Sequence, residues 1–495
     1  MNRRQRLVLA VSILASFVAF LDGSIVNVAL PTIQRELGGG LSAQQWIVDA
    51  YLLALGSLIL IAGSLSDLFG RKKILMLGLL GFGAASLLCA VAPTSGWLIV
   101  FRGMQGVAGA LLVPSSLALI IANFTGSAEG KAIGTWTAWT GISFIIGPLV
   151  GGALVDAASW RWIFAINVLP ITITLYLLSK LRTIKDERAQ TRVDFVGAVL
   201  CALGLGGPVF ALIEQPRYGW GSPLIYLSLI SGLLIFGAFL IYENRASRPM
   251  LPLYLFKNRN FSVGNVATFA IYAGLSAGTF LITVFLQQAA GYSALRAGLA
   301  LLPVTLIMFS LSSRFGALSG RYGPRLFMGI GPLVAGTGFL MMLALGARID
   351  YWHELFWPIV VFGVGLSITV APLTAAILGD VPREQAGIAS AVNNAVSRVA
   401  GLVAIAMVGA ILSAQFGSTL HRLNKDQIYP KSYIEKLQQT PLQAEHSDGC
   451  VDYTQCLGTK AAVAAFHAGT ATIAGLVIVG GVISLVGIQN PARKR

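Results

Sequence analysis

Fourteen stretches of about twenty or more mostly apolar residues run through this chain, each long enough to cross the hydrocarbon core of a bilayer. They fall at 7–33, 46–66, 74–92, 97–121, 131–155, 161–181, 193–213, 223–243, 260–289, 295–315, 325–346, 355–378, 385–413 and 461–487. Hydrocarbon holds no water to satisfy backbone N–H and C=O groups, so such a chain folds as a bundle of helices. Composition agrees, with 56% hydrophobic and 11% charged residues, where a soluble domain would carry roughly 25% charged. The 56 glycines show no short period and suit the close approach of membrane helices. The first apolar run, behind Arg3, Arg4 and Arg6, is longer than a signal-peptide core and lacks a small-residue cleavage site. It reads as an uncleaved first span.

An even number of spans places both termini on one side. Of the 35 Lys and Arg residues, 23 fall on that side and 10 on the other, five of the ten in one long loop. Arg102 and Arg398 lie inside or at the edge of spans. Basic loops stay inside, so the chain is expected in the cell membrane with both termini cytoplasmic and the loop at about 414–460 outside. The net charge of +15 is therefore a topology signal rather than a nucleic-acid footprint. His353, His421, His446 and His467 are scattered, and no metal-ligand spacing or nucleophile–base set is visible. No phosphate-binding loop of the G-x4-G-K-[ST] type is present. Neither an enzyme nor ATP drive is expected, and no cofactor or metal. Cys89 and Cys201 lie in spans and read as small apolar residues. Cys450 and Cys456 lie in the outer loop, where the compartment permits a disulfide; the alternative is two free thiols.

Asp22 stands about fifteen residues into the first span. A carboxylate there costs about 2.5–3.5 kcal/mol on insertion scales and marks a functional site by default. Arg102, in the fourth span, lies at similar depth. Its guanidinium cannot discharge and needs an anion, water or headgroups. A neighbouring cation lowers the proton affinity of Asp22 while desolvation raises it, a balance suited to a carboxylate that gains and loses a proton. The competing reading lets Arg102 snorkel outward while Asp22 caps a backbone group. Asp49, near the outer end of the second span, is either interfacial beside an aromatic belt or a third member of this cluster.

Other polar and small residues are candidates of a second rank. Asn27, Gln105, Trp136, Trp139, Gln287, Asn393, Asn394 and Arg398 are able to line a substrate cavity, or to make interhelical packing bonds or lipid contacts. In the fifth span Pro148 removes a backbone donor, and Gly147, Gly151 and Gly152 permit close packing. After the second span, Gly63, Asp67, Gly70 and Arg71 form a short glycine-acid-glycine-base loop. A degenerate echo, Gly316 to Arg325, follows the tenth span. Repeated halves mark secondary transporters. If the echo is a repeat, spans seven and eight are an inserted pair.

These segments resemble the major facilitator superfamily. Its inner loop has the form G-x-L-x-D-R-x-G-R-[KR]-x, met here at Gly63, Leu65, Asp67, Gly70, Arg71 and Lys72, with Leu68 departing. Its R-x-x-Q-G motif is met at Arg102, Gln105 and Gly106. Its antiporter signature, g-x-x-x-G-P-x-x-G-G, is met at Gly147, Pro148, Gly151 and Gly152, with Ser143 at the first glycine. Leu21-Asp22 through Pro31 resembles the L-D-x-T-[IV]-V-N-V-A-L-P signature of fourteen-span drug:proton antiporters, with Ser24 for Thr.

The resemblance implies an all-α fold of two six-helix bundles around a central cavity plus two extra helices. The expected domains are 1–185, an inserted pair at 186–259, and 260–495. It implies a gate-latch role for Asp67 and Arg71, proton coupling at Asp22 with Arg102, and export rather than import. The expected activity is proton-coupled multidrug efflux of small hydrophobic or amphipathic compounds, with the proton gradient as energy source. The expected partners are substrate, protons and membrane lipids, with the chain acting as a monomer. The alternative is a dedicated exporter of one metabolite, siderophore or lipid; a receptor or enzyme is a remote reading.

Overall fold

The computed structural model describes residues 1–125, 127–181, 193–247, 249–379, 381, 385–425, 429–438, 441–442 and 456–490. Among these no strand occurs. The chain begins with α1 (Arg3–Leu37), α2 (Gly40–Phe69), α3 (Arg71–Ala90), α4 (Ser95–Asn123) and α5 (Ser127–Ala157). The sixth span is broken into a short turn, α6 (Trp162–Ala165), and α7 (Val168–Lys180). Next come α8 (Phe195–Tyr218), α9 (Pro223–Arg245) and α10 (Arg259–Gln288). The tenth span is likewise divided, into α11 (Ala294–Ala300) and α12 (Leu302–Tyr322). Then follow α13 (Pro324–Met341), α14 (Phe356–Gly379), α15 (Ala386–Leu423), the short α16 (Lys431–Gln438) and α17 (Leu457–Gly487). Among the described residues fourteen helical segments are long and apolar enough to cross a membrane, the number read from the sequence.

The chain folds as two compact units. The first comprises Met1–Gly38, Trp46–Pro208 and Ser228–Pro252. Its core joins Val11, Ala15 and Val18 of α1 to Leu79 and Phe82 of α3, Leu112 of α4 and Ile171 of α7. Small residues set the closest approaches. A Cβ added at Gly147 of α5 would meet Ser24 of α1, and one at Gly151 would meet Ile25 and Val28. The glycines of the antiporter signature therefore seat α5 directly on the turn of α1 that follows Asp22. Ser24 Oγ fixes the register by donating to the carbonyl of Ser143, 3.2 Å away.

The second unit comprises Gly39–Gln45, Val209–Leu227 and Leu253–Arg495. Here Phe285 of α10 stacks on Phe466 of α17 with ring centroids 3.9 Å apart. Gly338 of α13 lies against the backbone of α14, where an added Cβ would come within 2.8 Å of the Pro358 carbonyl. The inserted pair is divided between the units: Phe195–Pro208 of α8 groups with the first unit, as does α9 from Ser228 onward, while Val209–Leu227 groups with the second.

The sequence echo has a structural counterpart. Gly70, between α2 and α3, has φ +94°, and Gly323, between α12 and α13, has φ +86°, a region glycine enters without steric cost. Just beyond each crossing a basic side chain reaches the last turn of another helix. Lys72 Nζ lies 2.5 Å from the Leu181 carbonyl after α7, and Arg325 Nε lies 2.6 Å from the Leu485 carbonyl in α17. Cations there satisfy orphan carbonyls and oppose the helix dipole. Gly63 behaves differently, since no atom would lie within 4 Å of a Cβ added to it.

Candidate functional site

The ion pair expected from the sequence is present and buried. Asp22 is 0% and Arg102 1% exposed, and Arg102 Nη1 stands 2.5 Å from Asp22 Oδ2. The pair is held from four further directions. Arg102 Nη1 also donates to Gln105 Oε1 at 2.6 Å, and its Nε donates to the Ile47 carbonyl of α2 at 3.0 Å. The Tyr51 ring covers the guanidinium at 4.4 Å, a cation–π contact favoured out of water. Gln105 Nε2 donates to Asp22 Oδ1 at 2.8 Å and to Ser86 Oγ of α3 at 2.8 Å. Asn167 Nδ2 donates to the same Asp22 oxygen at 3.0 Å.

The carboxylate thus accepts three N–H groups, one of them charged, from helix α4 and from the break between α6 and α7. Snorkelling and backbone capping, the competing readings, are not what the side chains do here. Gln105, expected from the sequence to line a cavity, belongs to this network. Ser86, Tyr51 and Asn167 also belong to it and carried no signal of charge or spacing. The one local sign was Asn167 itself, a single amide between apolar runs where the sixth span breaks.

Asp49 is 0% exposed, buried within the protein as Asp22 is. Neither of its oxygens has a hydrogen-bond partner, and no bond ties it to Asp22 or Arg102. Asp22 and Asp49 are thus buried carboxyls of opposite surroundings, one held by three donors and one bare.

The remaining candidates divide. Trp136 Nε1 donates to Ser16 Oγ of α1 at 3.0 Å, whereas Trp139 is exposed on the outer surface of α5. Asn27 is half-buried, and its Oδ1 has no partner. In the second unit Asn393 Nδ2 bonds Thr268 Oγ1 at 2.8 Å and Asn265 Oδ1 at 3.3 Å, an α15–α10 packing contact. Asn394 donates to the Ser390 carbonyl of its own helix. Gln287 is half-buried on α10, and Arg398 is half-buried on α15 close to Tyr272. In the inner loop the Asp67 side chain lies outside the described set. Cys456 is disulfide-bonded and Cys89 and Cys201 are free; Cys450, its candidate partner, lies outside the described residues.

An intramembrane ion pair in a bundle of fourteen spans, with glycine-seated helices and a repeated inner crossing, defines a polytopic transporter. The chain belongs to the Major Facilitator Superfamily, whose sequence profile matches residues 12–405. It is 34% identical over 428 residues to "Multidrug resistance protein Stp" of Mycobacterium tuberculosis (strain CDC 1551 / Oshkosh), covering 85% of this chain and 78% of that protein. It is 35% identical over 411 residues to "Methylenomycin A resistance protein" of Bacillus subtilis (strain 168), covering 82% of this chain and 87% of that protein. It is 32% identical over 411 residues to "Tetracenomycin C resistance and export protein" of Streptomyces glaucescens, covering 83% and 76%. Among solved structures, a bacterial homologue of the human lysosomal transporter Spinster shares the fold, with a TM-score of 0.68, 15% identity, and coverage of 99% of this chain and 100% of that one. The chain is a multi-pass membrane transporter and not an enzyme.

Proposed function

We propose that the chain is a proton-coupled antiporter that exports small hydrophobic or amphipathic compounds across the cytoplasmic membrane. The observation that carries this reading is the buried Asp22–Arg102 pair with its Gln105 and Asn167 donors. The resistance proteins among its relatives support export. In the conformation described, three N–H donors engage Asp22. Asp22 opens to a proton when Arg102 is drawn off toward its other acceptors, Gln105 Oε1 and the Ile47 carbonyl. Asp49, with no donor around it, is tolerated as a neutral acid, because an unpaired buried carboxylate is far costlier. The proton gradient supplies the energy, at about 2.3 kcal/mol per charge per 100 mV, with both termini cytoplasmic and one chain sufficient. Asp67 and Arg71 remain the proposed latch of the inner loop.

Substrate-driven proton release from the purified protein in lipid vesicles tests this reading. Asp22→Asn is expected to abolish release while substrate still binds; unchanged release in this variant overturns the mechanism. A second reading, export of a single dedicated compound, draws on two relatives whose names each carry one antibiotic. Drug-susceptibility profiling of expressing cells separates the two, since a broad pump raises tolerance to several unrelated classes and a dedicated one to a single class.

A further inference from the structure

The two extra helices carry an arrangement that the transport site does not use. Asp194 stands just before α8 and Glu243 in the last turn of α9, and Glu243 is only 2% exposed. Each carboxyl has one oxygen accounted for. Asp194 Oδ1 accepts the Gly197 N–H at 2.8 Å and the Tyr242 hydroxyl at 3.1 Å. Glu243 Oε2 accepts the Leu251 N–H at 2.8 Å. The other two oxygens, Asp194 Oδ2 and Glu243 Oε1, are buried and have no donor.

These two oxygens converge. Both lie over the bare face of Gly197, where an added Cβ would meet Glu243 Oε1 and come within 2.8 Å of Asp194 Oδ2. The titratable groups that face the pair are Tyr242 on α9 and the Cys201 thiol, one turn along α8 from Gly197. From α2, the neutral Ser57 hydroxyl contacts Cys201. No Lys or Arg among the described residues forms an ion pair with either carboxyl. Two carboxylates with no cation beside them among the described residues repel, and one of them is neutralised.

We propose that Asp194 and Glu243 form a second proton-binding site, in which one proton bridges Asp194 Oδ2 and Glu243 Oε1. The bound proton clasps the start of α8 to the end of α9 and to the backbone at Leu251. Its loss places two like charges over Gly197 and loosens that clasp. Through Cys201 and Ser57 the clasp rests on α2, the helix that carries Asp49. This gives the inserted pair a role of its own: a proton site separate from Asp22, whose existence does not depend on what the chain exports.

Infrared difference spectroscopy of the full-length protein in lipid, titrated with pH in the absence of substrate, reads the carboxylic-acid C=O stretch directly. Wild type is expected to show an acid band that bleaches as pH rises. Glu243→Gln and Asp194→Asn, made separately, are each expected to lose it, and Asp22→Asn to retain it. Gly197→Ala, which pushes both oxygens aside, is expected to shift the band. If both carboxyl variants give spectra superimposable on wild type, the site does not exist. A transition that moves with sodium concentration at fixed pH would make it a cation site and equally overturn the proposal.

Discussion

At the scale of single residues, the Asp22–Arg102 pair illustrates why a buried ion pair is more costly to break than valuable to own. Taking two charges out of water consumes most of their attraction, but removing one partner strands the other without solvent. Arg102→Ala is therefore expected to destabilise the first unit by about 3–5 kcal/mol, seen as a fall in the thermal unfolding midpoint in detergent. The double variant Asp22→Ala/Arg102→Ala is expected to lose less than the sum of the two single changes, because neither charge is then left alone. Equal and additive losses would show that the pair is not coupled. The pair was legible in the sequence because charges in apolar runs are rare. The neutral members of the network were not. Ser86 differs in no visible way from the other hydroxyls scattered through these helices, the single amide of Asn167 does not name its partner, and only the fold brings the two within 3.3 Å of each other.

At the scale of helices, the number of spans was legible because apolar length measures how much chain lies in lipid. The breaks at Ile166-Asn167 and at Leu301 were not, since apolar length is blind to hydrogen-bond continuity. Glycine roles were blurred for the same reason. Gly63, Gly106, Gly147 and Gly151 all sit in motifs, yet a Cβ at Gly63 meets open space and one at Gly106 meets the Tyr51 carbonyl of α2. Gly63→Ala is expected to raise stability by about 0.5–1 kcal/mol, the conformational cost of glycine in a helix. Gly106→Ala is expected to lower it by about 1–3 kcal/mol through overpacking. Thermal midpoints of the two variants measured side by side check the pair. A matched response would mean that the glycines act through backbone freedom rather than through contact.

At the scale of the whole molecule, the loop charges carry information that the packing of helices does not. The 23 basic residues on one side predict where both ends lie. Fluorescent proteins that mature only in the cytoplasm, fused to the N-terminus or to the C-terminus, are both expected to light up; a dark fusion at either end contradicts this topology. The ion pair also bears on how the chain is made. Arg102 follows Asp22 by 80 residues and Asn167 follows it by 145. At about 5–20 residues per second, Arg102 emerges roughly 4–16 s after Asp22. Throughout that interval α1 carries a carboxyl with no partner, at a cost of about 2.5–3.5 kcal/mol if it enters lipid alone. The first helix to leave the ribosome therefore cannot find its settled place at once, and the insertion machinery must shelter it until α4 arrives.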